Sequence, residues 1–406
     1  MTESPGDPER LREQIMDRLQ KLETHRDWFT PLHEIASEET GLSDFGDPSY
    51  HAGLNVLLDM LDQGCDLNET GKLVVTSKFL HVLKQRLLTE AMLEKNPAIL
   101  GNEIMQPLVI TGLVRTGSTA LHYLMAQDPH RQHLPYWLAE HPKPRPPRES
   151  WPDEADFQAS QRSIDMMYEA NSTLRAIHFM AADWPEECGH LMAQTFTDDF
   201  WQCAIRAPQY NAWYEGANLV PTYRRHKRLL QLIGSNEPHK PWLLKYPVHL
   251  KHLKSFLEVY PDARVIWTHR DPAEVMSSYV SLIAGFRSLN VNHVDKDDIA
   301  EEQSRIWADA ADRAIEVRKQ YPAAQFHDIY FEDFTSDPVA AVRRAYTHFA
   351  IPWREDGAAA FSAWSDANPQ GRHGHHRYSA NEFRLTPEAI RERFSAYMDH
   401  FHLAAD

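Results

Sequence analysis

The chain has 406 residues, of which 42% are hydrophobic and 25% are charged, a composition that is typical of globular proteins and excludes a largely disordered chain. Its length favours one large α/β domain with an elaboration, or two domains. The formal net charge is -16, from 42 Lys and Arg against 58 Asp and Glu, which argues against nucleic acid as a partner and means that an anionic ligand needs a local basic pocket.

The targeting and redox features of the sequence are those of a cytoplasmic protein. The N-terminus is polar and acidic, and no apolar run is long enough to cross a bilayer. We therefore expect a soluble protein without membrane insertion. Cys65, Cys188 and Cys203 are too few for a disulfide framework or a structural zinc site. The sequence leaves open whether the chain forms a homo-oligomer.

Apolar residues at helical spacing dominate the first quarter of the chain. One such pattern runs from Leu11 to Leu22 and another from Phe79 to Met92. We predict a helical N-terminal region over residues 1–105 and an α/β domain over residues 106–406.

Short apolar segments with β-strand character begin at residue 107 and alternate with helical patterns. They cover residues 107–112, 242–245, 263–268 and 326–334. This alternation predicts a P-loop-like, doubly wound parallel sheet flanked by helices, with ligands at the carboxyl ends of its strands. Residues from about 130 to 240 are rich in Trp, Tyr and Phe, and we interpret them as a helical insertion on the acceptor side.

A phosphate-binding turn follows the first strand. Gly112 and Gly117 are separated by four residues and followed by the hydroxyl residues Ser118 and Thr119, which is the P-loop spacing. Such a turn directs backbone N–H groups and a helix N-terminus at one anion. Nucleoside triphosphatases need Lys directly after the second Gly, where Ser118 stands, and the basic residue here is Arg115 inside the loop. A triphosphatase is therefore disfavoured.

A second candidate anion site follows the third strand. Arg270 comes directly after this strand, a turn at Asp271 and Pro272 starts a helix, and Ser278 lies eight residues beyond Arg270. The planar guanidinium of Arg binds phosphate oxygens in pairs. We expect Arg270 and Ser278 to face one anion.

Together the two motifs resemble the paired signature of sulfotransferases that use 3′-phosphoadenosine 5′-phosphosulfate (PAPS), and the chain is most similar to the long bacterial members. The resemblance implies in-line, metal-independent transfer of a sulfuryl group from PAPS to a hydroxyl of a small, partly apolar acceptor, leaving PAP. It implies that the loop holds the 5′-phosphosulfate, and that Arg270 and Ser278 hold the 3′-phosphate. The loop residues concerned are Arg115, Thr116, Gly117, Ser118 and Thr119.

Other segments fit the same family. Lys245, in Leu-Lys-Tyr-Pro, resembles its catalytic Lys, and Phe331 begins a Phe-Glu-Asp segment like the family's Tyr-Glu-Asp. Gly371 and Arg372 resemble the start of the C-terminal loop of the bacterial members. Pro247 stands where the animal cytosolic enzymes have a catalytic His, so another base is required.

The base that removes the acceptor proton has several candidates. Glu140 comes first, because it follows the phosphate-loop helix, and Glu186, Glu187 and His178 near Trp184 are rivals. Helix capping after Pro185 is an equally good interpretation of the two Glu residues. We assign Arg115 and Lys245 to the oxygens of the transferred group.

Three other interpretations of the sequence remain open. His373, His375 and His376 could suggest a metal site, but their spacing favours a basic loop over the nucleotide, and no metal is expected. A P-loop kinase of small molecules is the second, and the missing Lys at Ser118 counts against it. The third is a nucleotide-binding protein without turnover, which the presence of Arg115 and Lys245 argues against.

Overall fold

A parallel five-stranded sheet forms the centre of the protein. The computed structural model describes residues 15–170, 179–368 and 384–403. The strands are β1 (Leu108–Gly112), β2 (Gln132–His133), β3 (Trp242–Lys245), β4 (Arg264–His269) and β5 (Phe326–Tyr330). Their order is β2-β3-β1-β4-β5 and every pair is parallel. All five residues of the central strand β1 are buried, as expected for a sheet covered by helices on both faces.

Helices cover both faces of the sheet and form the regions before it and between β2 and β3. In chain order they are α1 (Phe29–Thr40), α2 (Tyr50–Asp62), α3 (Glu69–Lys95), α4 (Ser118–Met125), α5 (Tyr136–Glu140), α6 (Ala155–Ala170), α7 (Gly189–Met192), α8 (Phe200–Ala204), α9 (Pro208–Gly216), α10 (Val220–Ile233), α11 (Leu253–Val259), α12 (Pro272–Asn290), α13 (Lys296–Arg318), α14 (Phe331–Ser336), α15 (Pro338–His348), α16 (Glu355–Ala367), α17 (Pro387–Arg393) and α18 (Ser395–Phe401). Within the described ranges, no helix is both long and apolar enough to span a membrane.

The predicted fold class is confirmed, with local differences. The segment expected to be a strand as far as Phe334 changes to helix at Phe331, so β5 ends at Tyr330. Glu332 and Asp333 lie in the first turn of α14, where negative side chains favour a helix over a strand. The two-residue strand β2 was not predicted, because it is too short to show a period.

The helices before β1 pack closely against later parts of the chain. The guanidinium of Arg86, on α3, donates hydrogen bonds to the carbonyl oxygens of Phe45 and Gln194. Arg225, on α10, forms a buried ion pair with Glu90 of α3. Long-range ties of this kind fix α3 beside the segment that connects β2 to β3.

The end of β4 is tied to the C-terminal helices. The imidazole of His269 is fully buried and contacts the hydroxyl of Tyr397 and the carboxylate of Asp328, each at 2.9 Å. Arg318 donates to both oxygens of Asp328, at 2.6 and 2.7 Å. These contacts fix the direction in which the chain leaves β4 toward Arg270.

The turn after β1 depends on a glycine. Gly112 has φ +141°, and a Cβ there would lie 2.5 Å from the carbonyl oxygen of Thr268. We predict that Gly112→Ala lowers the free energy of unfolding by about 3 kcal/mol through strain and overlap. Gly216→Ala is the matched control, because no atom lies within 4 Å of its added Cβ. Urea denaturation compares them, and equal stability of the two variants would contradict this account.

Candidate active site

The turn between β1 and α4 has the shape of an anion cradle. Arg115 and Gly117 have positive φ values of 60° and 82°, and Gly117 is the N-cap of α4. A non-glycine residue in the left-handed region is uncommon and often marks a functional site. This conformation places the N-terminus of α4 and the loop amides at the carboxyl edge of the sheet, where an anion would bind.

Thr116 has a different environment from its neighbours in the loop. Its hydroxyl lies 2.6 Å from the hydroxyl of Thr268 and donates to the carbonyl oxygen of Leu113 at 2.8 Å. The side chain therefore ties the loop to β4. A contact between Thr116 and a nucleotide would come from its backbone N–H.

The two predicted anion motifs meet in space. Nε of Arg115 donates to Oγ of Ser278 at 2.9 Å, and a guanidinium nitrogen of Arg270 donates to the carbonyl oxygen of Arg115 at 3.3 Å. The guanidinium of Arg270 lies 4.1 Å from the centre of the Phe331 ring, and a Cβ on Gly117 would lie 3.1 Å from that ring. Arg115, Arg270, Ser278 and Phe331 thus form one basic group, here called the basic cluster.

The turn that carries Arg270 is braced from the C-terminal part of the chain. The carboxylate of Asp271 caps α12 by accepting from the amide of Ala273 at 2.9 Å. It also accepts from Arg391 of α17, with the shorter bond at 2.6 Å. Arg270 itself donates to Glu274 of α12 at 2.8 Å, so this carboxylate orients the guanidinium.

Lys245 lies at the end of β3, beside the loop. Its ammonium group donates to the hydroxyl of Thr119 at 3.0 Å and to the carboxylate of Glu187. The side chain of Lys245 is 2% exposed and that of Glu187 is 24% exposed. A buried cation, Lys245, and a more accessible carboxylate, Glu187, therefore lie beside the phosphate loop.

Glu186, the neighbour of Glu187, is directed into the protein. It is buried, and its carboxylate accepts a hydrogen bond from the backbone amide of Glu187 at 2.8 Å. Its own amide donates to the carbonyl oxygen of Leu134 at 2.7 Å. These contacts tie Glu186 to the chain but do not cap a helix, because α7 begins at Gly189 and no side chain caps it.

Glu140 lies at the end of α5 among basic side chains. Its carboxylate contacts Nδ1 of His190 and lies 3.5 Å from the ammonium of Lys78 and 3.3 Å from the imidazole of His81. Burial alone would raise the pKa of Glu140, but the charges of Lys78 and His190 outweigh it and hold that pKa well below its usual range. These charges come from α3 and α7.

Aromatic side chains lie close to Glu187 in the chain and in space. The Trp184 ring packs edge-on against Tyr123 of α4 at 4.8 Å and against Phe179 at 4.7 Å. The Tyr123 hydroxyl donates to the carbonyl oxygen of Phe179 at 3.0 Å. Burial raises the pKa of Tyr123, and this ring is close enough to Glu187 for the charge of the carboxylate to add to that effect.

Some predicted site residues lie outside the described part of the chain: His178, Gly371, Arg372, His373, His375 and His376. In the described part, no group of three or more His, Cys, Asp or Glu side chains is arranged to hold a metal ion.

The sequence profile of the sulfotransferase family matches residues 107–355, and a sulfotransferase of known structure from Mycobacterium tuberculosis H37Rv is 33% identical. The chain belongs to the sulfotransferase family. The structural match to that M. tuberculosis sulfotransferase has a TM-score of 0.82 and covers 91% of this chain and 98% of the other. A sulfotransferase structure from Mycobacterium avium is 28% identical, with a TM-score of 0.84 and coverage of 93% and 97%.

A curated relative of this sulfotransferase is named for its substrate. The omega-hydroxy-beta-dihydromenaquinone-9 sulfotransferase of Mycobacterium bovis is 25% identical over 302 residues, which are 70% of each chain. The family match and these relatives agree with the fold class and the sulfuryl-transfer activity expected from the sequence motifs.

Several residues that shape the site of this sulfotransferase were not found by sequence reasoning. Thr268, Arg391, Lys78 and His190 belong to no motif, and each acts through a partner far away in the chain. Only Thr268 carried a signal, since it ends the predicted third strand next to the phosphate loop.

Proposed function

We propose that this sulfotransferase takes the sulfuryl group from PAPS and transfers it to a hydroxyl group of an acceptor. The observation that carries the proposal is the division of basic side chains between two places. Lys245 contacts Thr119 at the start of α4, where a 5′-phosphosulfate fits, and the basic cluster joins Arg115 of the loop to the segment after β4. A 3′-phosphate on the same nucleotide accounts for the second group of cations.

The transfer step follows from these positions. The acceptor oxygen attacks sulfur, a new S–O bond forms, and the S–O bond to the 5′-phosphate breaks, so PAP leaves with the electron pair. The side chain of Arg115 contacts Ser278 in the basic cluster, so we assign it to the 3′-phosphate rather than to the transferred group. Negative charge that develops on the bridging and equatorial oxygens is then stabilised by Lys245 and the N-terminus of α4. Because these groups supply the positive charge, we expect transfer to need no metal.

For the base we favour Glu187 among the candidates. It contacts Lys245, so a PAPS molecule that attracts this ammonium would release the carboxylate beside the attacking hydroxyl. Glu140, the first candidate from sequence, is a weaker base because His190 and Lys78 hold its pKa low. His178 and Glu186 remain rivals, although the hydrogen bond of Glu186 to the chain favours a structural role.

For the acceptor we propose a small molecule with a hydroxyl group and an apolar body. The rings of Trp184, Tyr123 and Phe179 beside Glu187 support this. The relative named for an omega-hydroxy quinone lipid points to the same chemical class. We also propose that residues 1–105 and 106–406 are the two units of the chain, with residues of about 130–240 on the acceptor side.

A P-loop kinase is the competing proposal, and nucleotide binding separates the two. We predict that PAP binds more tightly than AMP, which lacks only the 3′-phosphate, and more tightly than ATP with Mg²⁺. Arg270→Ala should weaken PAP binding by about 2–3 kcal/mol, the scale of a hydrogen bond to a charged group, and leave AMP affinity nearly unchanged. Isothermal titration calorimetry measures the three affinities of the native protein and the two of Arg270→Ala.

Glu274→Gln is the matched control for Arg270→Ala. It removes the charge that now holds Arg270, so PAP affinity should stay equal or rise. Equal losses for PAP and AMP in Arg270→Ala would contradict the assignment of Arg270, and a preference of the native protein for ATP would favour the kinase.

Lys245 should act mainly in the transition state. We predict that Lys245→Ala lowers kcat at least about 100-fold while changing PAP affinity by less than about tenfold. Single-turnover transfer at saturating PAPS, together with calorimetry, measures both quantities. A loss of PAP affinity with an unchanged rate at saturation would make Lys245 a binding residue only.

Substitution of the two carboxylates distinguishes the candidate bases. We predict that Glu187→Gln lowers kcat about 100-fold, the usual scale for loss of a general base, and that Glu140→Gln lowers it about tenfold or less. Both variants should keep the PAP affinity of the native protein. A larger loss in Glu140→Gln than in Glu187→Gln would return the role of base to Glu140.

A further inference from the structure

The short segment from Glu186 to Met192, here called the catalytic turn, contacts two separate parts of the protein. Glu187 contacts Lys245 at the phosphate loop, and His190, three residues later, contacts Glu140 at the end of α5. Between them, the amide of Cys188 donates to the carbonyl oxygen of Lys245 at 3.1 Å, and the Cys188 side chain is fully buried.

Glu140 is anchored on the side facing α3. Lys78, on α3, lies 3.5 Å from its carboxylate, and the imidazole of His81, one turn further, lies 3.0 Å from the carbonyl oxygen of Glu140. Both residues precede the part of the chain that matches the family profile, which starts at residue 107. The N-terminal helices therefore reach the catalytic turn through Glu140.

The contact between Glu140 and His190 has the character of a charge-assisted hydrogen bond. Burial would lower the pKa of His190, but the Glu140 carboxylate outweighs it and raises this pKa. Such bonds are shorter and stronger than neutral ones and fix direction. Carboxylate–imidazole pairs recur where a protein must hold a neighbouring group in one orientation.

We propose that His190 is a positioning residue for sulfuryl transfer: held by Glu140, and through it by Lys78, it fixes the catalytic turn so that the Glu187 carboxylate stays beside Lys245. The proposal rests on the proposed function of Glu187 as the base. It explains why Glu140 is surrounded by cations although it lies in the segment where a base is expected, since it acts through His190. A displacement of about 1 Å at a base can cost about 100-fold in rate.

Two substitutions at His190 separate positioning from bulk packing. In His190→Asn the side-chain amide nitrogen takes the place of Nδ1 and keeps a donor for Glu140, whereas His190→Leu removes the donor at similar volume. We expect kcat to fall about tenfold in His190→Leu, on the scale of Glu140→Gln, and less than about threefold in His190→Asn. The KM for PAPS should stay within about twofold in both variants, since the basic cluster is untouched.

The double variant tests whether Glu140 acts through His190. If it does, His190→Leu should lower kcat little further in a Glu140→Gln background, because the two substitutions break the same contact. Losses that multiply would overturn the proposal, as would an Asn variant as impaired as the Leu variant.

Cys188 reports on the turn without any turnover. Under native conditions, alkylation of Cys188 by iodoacetamide requires local opening of the catalytic turn. We expect its labelling rate to rise about tenfold in His190→Leu and to stay near the native rate in His190→Asn. Mass spectrometry follows Cys65 and Cys203 in the same sample as internal controls, because they lie in other parts of the core.

The outcomes of this experiment are distinct from those of the proposed function. Unchanged labelling of Cys188 in His190→Leu would overturn the proposal, and so would an equal rise at all three cysteines, which indicates general loss of stability. If the native protein failed to bind PAP, the proposed function would fall, while labelling at Cys188 would still decide whether His190 fixes the turn.

Discussion

The site depends on how closely the phosphate loop approaches strand β4. Gly112 has no room for a Cβ beside the Thr268 carbonyl, and the hydroxyls of Thr116 and Thr268 meet at 2.6 Å. With the chain held at both points, Arg115 is forced into the left-handed region, and its carbonyl oxygen is presented to Arg270. One tight backbone approach therefore sets the position of the loop amides and of two basic side chains. This strained conformation persists because the buried sheet is closely packed and rigid enough to impose it.

The site concentrates positive charge in a protein whose net charge is -16. The cations of the site repel one another, so each needs a partner that stabilises it. Each has its own partner within the chain: Arg115 has Ser278, Arg270 has Glu274 and the Phe331 ring, and Lys245 has Glu187. These partners are neutral or singly charged, so an incoming anion with several oxygens can replace them with stronger contacts. Pairing before binding reduces repulsion among cations without filling the site. The same pairing keeps Glu187 ready to be released when Lys245 turns to the ligand.

Sequence reasoning succeeded where the information is local. Strand β1, the turn glycines and the start of α4 are adjacent in the chain, so their spacing predicted the phosphate loop. The Arg270 motif predicted the second segment, which follows β4 and contacts this loop. It was wrong at Phe331, where the aromatic residues from Phe326 onward suggested a longer strand, although Glu332 and Asp333 favour the first turn of a helix. Glu140 shows a further limit. Its position after α4 was sound, but the cations around it come from α3 and α7, and periodicity gives no information about such contacts.

The environment of Glu140 and Glu187 also shows how one segment can hold two carboxylates with different tasks. Both lie between β2 and β3, both are partly accessible, at 17% and 24%, and both contact a cation. The two carboxylates differ in whether a bound substrate can draw away their cationic partners. Lys245 faces the loop, so a ligand anion can draw it away from Glu187, whereas Lys78 and His190 face the helical region and have no competing anion from the nucleotide. On the proposed function, Glu140 therefore keeps its cations during transfer, as suits a structural carboxylate, and Glu187 is the carboxylate that donor binding would free to take the acceptor proton.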